Sequence, residues 1–251
     1  MVLTKYVQTY TIKDKVFLGK MRCSFTVKKF VFYLNLLLIV LVQVADVWYL
    51  TNGGLWRKGV TSFGFVLIGI LNLAYLVAVR KKPLRFPVLL TIGLAVAMLG
   101  DIVVNVRFIE GALIFAVGHI FYFIAYSCHR KLRKTDLILS LCIFAASALI
   151  LTCIPAFDFG GALMLGICLG YALIISFMVG KASGNALAEK SVTNVLLMVG
   201  SILFFFSDLM LVLYYFADAP RIVDILCVTT YYPAQCLIGH ALYWHFRRTA
   251  E

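Results

Sequence analysis

From residue 30 onward, apolar runs of a length suited to crossing a bilayer alternate with short stretches of charge, Gly or Pro. A helix needs roughly 20 apolar residues to span the hydrocarbon core. The runs therefore predict helices near 30–50, 60–79, 86–106, 110–128, 135–154, 160–180, 191–217 and 222–246. The expected fold class is all-α and integral to the membrane, a bundle of eight transmembrane helices over residues 30–248. Residues 1–29 then form a basic cytoplasmic N-terminal arm. Their lack of a continuous apolar stretch argues against a secretory signal peptide.

Composition agrees with the bilayer as solvent: 63% of the 251 residues are hydrophobic and the mean hydropathy is +0.99, against about half apolar residues in soluble domains. A net charge of +12 raises nucleic acid as a partner. The charges, however, fall in short blocks between apolar runs, so no nucleic-acid partner is expected and the placement reads as topology. With the N-terminus inside, the inside segments hold 19 Lys and Arg and the outside loops hold 4, namely Arg57, Lys58, Arg107 and Arg221. That asymmetry follows the positive-inside rule and puts both termini in the cytoplasm. The expected location is a bacterial cytoplasmic membrane, or an ER-type membrane in a eukaryote. Five of seven cysteines lie in apolar runs and no C-x-x-C pair occurs, which points to small hydrophobic residues and not to disulfides or thiolate metal sites.

Helix three carries Gly93 and Asp101, and helix seven carries Gly200 and Asp208, at the same spacing and with a small residue before each Asp. This suggests a 4+4 parallel internal repeat. Carboxylates within a bilayer are costly and usually functional. Asp46, Asp101 and Asp208 fall inside predicted spans. Asp101 lies 15 residues beyond Phe86 and Asp208 lies 15 beyond Thr193, starting points near the inner ends of their runs, so a rise of about 1.5 Å per residue gives them a common depth. The structural alternative is that each Asp serves packing, hydrogen-bonded to a neighbouring helix.

The other inward polar candidates are Asn105, His119, Tyr122, Tyr231, Gln235 and His240, with His119 able to face Asp101 across an antiparallel helix pair. No H-x-x-x-H or H-E-x-x-H spacing supports a metal. Two desolvated carboxylates brought together resist joint ionisation, so one can act as acid and the other as base. Such a pair suits hydrolysis of a bond protonated as it breaks, or proton- or cation-coupled transport. An intramembrane aspartyl protease is disfavoured, since Asp101 follows Met-Leu-Gly and Asp208 follows Phe-Phe-Ser.

Several stretches resemble the YhhN family of membrane hydrolases, which includes the lysoplasmalogenases. They are Gly100-Asp101, the run from Phe115 to Tyr122 containing Gly118-His119, Ser207-Asp208, and Tyr232-Pro-Ala-Gln235. Lys82-Pro83 also resembles a Lys-Pro feature of the family. The resemblance runs from helix two onward and leaves out the basic arm. It implies a membrane enzyme that hydrolyses the vinyl ether bond of lysoplasmalogens, releasing a fatty aldehyde and glycerophosphoethanolamine or glycerophosphocholine. Asp101 and Asp208 would be catalytic. Asp46, Lys82, Asn105, His119, Tyr122, Tyr231 and Gln235 would bind substrate. A lysophospholipid substrate and membrane lipids are the expected partners, with neither metal nor organic cofactor required.

Overall fold

A computed structural model describes the backbone of residues 2–79 and 84–248, and the side chains of 27–78 and 84–245. Eight helices follow in order: α1 (Val2–Asn52), α2 (Leu55–Val79), α3 (Arg85–Val103), α4 (Phe108–His129), α5 (Lys134–Cys153), α6 (Ala162–Ala188), α7 (Val192–Phe216) and α8 (Arg221–Arg248). Each contains a stretch long and apolar enough to cross a membrane, the first at Val27–Asn52. There is no strand among the described residues. The chain is thus an integral, multi-pass membrane protein, as the periodic apolar runs require.

The structure divides into two compact units. The first, ending at Leu37, holds the N-terminal part of α1 from Val2, within which the Asn35 side-chain amide donates to the Val31 carbonyl at 2.8 Å and so stays satisfied inside its own helix. The second, Leu38–Glu251, is a helical bundle. Its principal pairs are α3 with α4, α5 with α6, and α7 with α8, while α2 packs on α3 and α8, and α6 packs on α4 and α7. Without a hydrophobic drive between helices in lipid, close approach depends on small residues. At Gly93 an added Cβ would meet the Tyr122 ring at 2.6 Å, and at Gly100 it would meet Phe115 at 2.9 Å. These two glycines let α4 lie against α3 and carry its polar residues inward.

The boundaries depart from the apolar pattern in ways that matter. The second helix starts at Leu55, five residues before the first residue of the predicted run, so Lys58 is a helical residue and not part of an outside loop. The sixth helix continues to Ala188, and Lys181 lies inside it, not in the loop to which its charge had suggested it belonged. Both lysines are buried and paired. The Lys181 ammonium donates to Asp136 at 2.8 Å, to the Asn185 side chain at 2.8 Å and to the Lys131 carbonyl at 3.1 Å. A carboxylate and carbonyl oxygens thereby replace the water that a lysine head group would otherwise need.

Candidate functional site

Lys58 and Asp101 face one another near the start of α2 and the end of α3. The Lys58 Nζ is 3.0 Å from Asp101 Oδ1, and both side chains are under one-tenth exposed. Ser62, one turn after Lys58 and therefore on the same face of α2, donates to Asp101 Oδ2 at 2.6 Å. Tyr232 on α8 donates to the same oxygen at 3.0 Å. Asp101 is thus the acceptor for three donors from two other helices. The Lys58 ammonium also lies 5.5 Å from the centroid of the Tyr49 ring, a cation–π distance. Asp46, buried on α1, is within electrostatic reach of Asp101 and Lys58.

Asp208 has a different set of neighbours. Tyr171 on α6 donates its hydroxyl to Asp208 Oδ2 at 2.5 Å. His119 Nε2 lies 2.7 Å from the Tyr171 oxygen and 3.2 Å from the same Asp208 oxygen. The tautomer with its proton on Nε2 satisfies the set: the ring N–H donates to Tyr171, and Tyr171 donates to Asp208. His119 Nδ1 is buried and has no hydrogen-bond partner among the described residues. A ring nitrogen left bare in this way fits a lone pair better than an N–H, which would be stranded without an acceptor.

The two carboxylates line one cleft walled by α2, α3, α4, α7 and α8. Phe115, Tyr231 and Tyr232 contribute aromatic surface to it, and Lys58 is the one basic side chain in its described lining. Asp208 also faces two further cavities. One lies between α4, α6 and α7 and shares Phe115 and Leu211 with the cleft. The other lies between α5, α6 and α7 and shares only Asp208 with it. Apart from Asp208 and the Tyr171 and Ser147 hydroxyls, both are lined by apolar side chains and a thiol. Asp208 therefore stands at the junction of a charged compartment and apolar ones.

The expected site residues divide accordingly. His119 faces Asp208 and not Asp101, with its Nε2 held between Tyr171 of α6 and Asp208 of α7. Tyr231 lines the cleft and donates to the Ala97 carbonyl at 3.1 Å. Tyr122 and Gln235 bond to one another at 2.7 Å, away from the cleft lining. Asn105 lies past the end of α3, exposed, and donates to the Asp101 backbone carbonyl at 2.6 Å. It completes a helix terminus. His240 accepts from Trp244 at 3.1 Å, outside the cleft. Lys82 is outside the described residues. Among the described residues no cluster of His, Cys, Asp and Glu has the make-up to hold a metal ion.

Lys58, Ser62 and Tyr171 are the residues that sequence reasoning passed over. The Arg57-Lys58 pair before an apolar run has the signature of a loop. Ser62 and Tyr171 carry no charge to stand out against an apolar background. A lysine four residues before a serine at a helix start was the one available signal, since the two share a face.

No curated protein and no solved structure matches the chain. The YhhN family model matches residues 61–242, a stretch that carries Asp101, His119, Tyr171, Asp208 and Tyr232, and the chain belongs to that family.

Proposed function

We propose that this protein is a membrane-embedded lysoplasmalogenase, hydrolysing the vinyl ether bond of 1-alkenyl-glycerophosphoethanolamine or glycerophosphocholine through Asp101 and Asp208. The observation that carries the reading is that the two carboxylates line one cleft while holding unlike partners.

Vinyl ether hydrolysis begins when an acid protonates the alkene carbon remote from oxygen. The C=C electrons form the new C–H bond, and the ether oxygen shares the resulting positive charge as an oxocarbenium ion. Water adds to the oxygen-bearing carbon and loses a proton, and the hemiacetal collapses to an aldehyde and a glycerol hydroxyl. Asp208 is the proton donor in this scheme and then, as a carboxylate, takes the proton from the attacking water. His119 and Tyr171 hold its carboxyl in place. Asp101, accepting from Lys58, Ser62 and Tyr232, is committed as an acceptor and serves to stabilise the cation and orient water. Net proton balance over a turnover is zero, and no atom changes oxidation state overall in the hydrolysis.

A proton- or cation-coupled transporter using the same aspartates is the competing reading. It draws on Pro233, which interrupts the hydrogen bonding of α8 beside Tyr232.

The test is to reconstitute the wild type, Asp101→Asn and Asp208→Asn and supply each with a lysoplasmalogen and an ester-linked lysophospholipid. Aldehyde from the wild type alone supports the hydrolase. Solute accumulation in proteoliposomes without aldehyde would favour transport.

A further inference from the structure

In vinyl ether hydrolysis the carbon that receives the proton is the second carbon of the lipid chain. Wherever the proton donor meets the substrate, the third and later carbons must leave along an apolar route that begins at that donor. Asp208 touches two such routes. The cavity between α4, α6 and α7 shares two walls with the cleft besides Asp208, Phe115 and Leu211, so a chain can pass between them around one residue. The cavity between α5, α6 and α7 meets the cleft only at Asp208 itself.

We infer that the cavity between α4, α6 and α7 is the binding slot for a single unbranched alkenyl chain, and that Ala112 and Ile167 set the chain length it accepts. This rests on the hydrolase reading. The lining supports it: beyond Asp208 and the Tyr171 hydroxyl, the slot presents Phe108, Ala112, Ile167, Cys168 and Val212. Tyr171 spends its hydroxyl on Asp208 and turns its ring to the slot. Nothing there would hold a phosphate or an amine. On the opposite side of Asp208 the cleft carries the Lys58 ammonium, which suits the phosphate of the head group. The division of the site into an ionic and an apolar half around one carboxyl matches an amphiphile whose scissile bond lies at the junction. Ala112 is the smallest side chain in the slot. Replacing it with a larger one would remove room from the chain and leave the Asp101 and Asp208 contacts in place.

The experiment compares hexadec-1-enyl and oct-1-enyl lysoplasmalogens on the wild type, Ala112→Leu, Ile167→Ala and Ala172→Leu. Ala172 lines only the other cavity. Burial of each methylene alters binding about fourfold, so Ala112→Leu, by displacing two or more, should shift the kcat/KM ratio on the order of tenfold toward the short chain. Ile167→Ala should shift it toward the long chain, and Ala172→Leu should leave it at the wild-type value. Folding is checked by thermal unfolding in detergent, and Ile167→Ala supplies a cavity-forming test should Ala112→Leu fail to fold. Binding of saturated hexadecyl and octyl ether lysophospholipids, which have no vinyl group to hydrolyse, is measured on the same proteins in nanodiscs. If the wild type makes no aldehyde but the binding ratio shifts as stated, the hydrolase reading falls and the slot stands. Unchanged ratios in folded Ala112→Leu and Ile167→Ala, or a shift confined to Ala172→Leu, would overturn the slot.

Discussion

The ammonium of Lys58 sits 3.0 Å from the carboxylate of Asp101, with both side chains almost wholly withdrawn from solvent. A buried pair of this kind is costly to break, because removing one partner strands the other charge, at about 3–5 kcal/mol. Lys58→Met should therefore lower the thermal unfolding temperature in detergent sharply. The double variant Lys58→Met, Asp101→Leu should recover most of that loss, since it removes the stranded charge. Equal destabilisation by the single and the double change would mean that the pair is not coupled.

Asp208→Asn should reduce aldehyde release by roughly a hundred- to ten-thousandfold, the usual contribution of a positioned acid or base. The fall should appear in kcat with little change in KM, because the amide keeps the shape and the acceptor for Tyr171. A variant that keeps near-wild-type kcat would remove Asp208 from the chemistry.

Tyr171→Phe and His119→Gln test the link to that carboxyl. Tyr171→Phe deletes the 2.5 Å hydrogen bond to Asp208 and leaves the ring that lines the slot. It should cost on the order of ten- to a hundredfold in kcat, less than loss of Asp208 itself, as expected of a group that acts through another. His119→Gln should behave similarly, and the two together should cost less than the product of the single effects, because both act on one oxygen. Simple multiplication of the two losses would argue for independent roles.

At the other end of the bundle, Lys181→Met should destabilise by less than the ~3–5 kcal/mol of a stranded buried charge, since Asp136 loses its 2.8 Å partner but keeps Arg133 at 3.1 Å. Protein that remains folded should retain wild-type kcat and chain-length preference, because neither Lys181 nor Asp136 lines the cleft or its adjoining cavities. Thermal unfolding and kinetics on the same preparation separate the two effects. A loss of kcat at full folding would connect that cluster to the chemistry.

Eight membrane-crossing helices were legible from the chain alone, because lipid requires each span to satisfy its own backbone hydrogen bonds under an apolar surface of fixed minimum length. Asp101 and Asp208 were legible for a related reason: a carboxylate inside an apolar run stands out by cost alone. Asp101, His119, Asp208 and Tyr232 also fell within the stretches resembling the YhhN family, which the family match over residues 61–242 bears out. What each residue touches was another matter. His119 lies on a helix whose neighbours include both α3 and α6, and no local pattern states which one its ring faces. Its contacts with Tyr171 of α6 and Asp208 of α7 settle it. Lys58 and Lys181 looked like loop charges because positive residues mark span ends. Only partners brought from other helices, Asp101 and Asp136, make their burial affordable. Local sequence therefore determined which segments enter the membrane and which carboxylates are out of place there, whereas the tertiary structure decided how each buried charge is matched, since those matches join residues far apart in the chain.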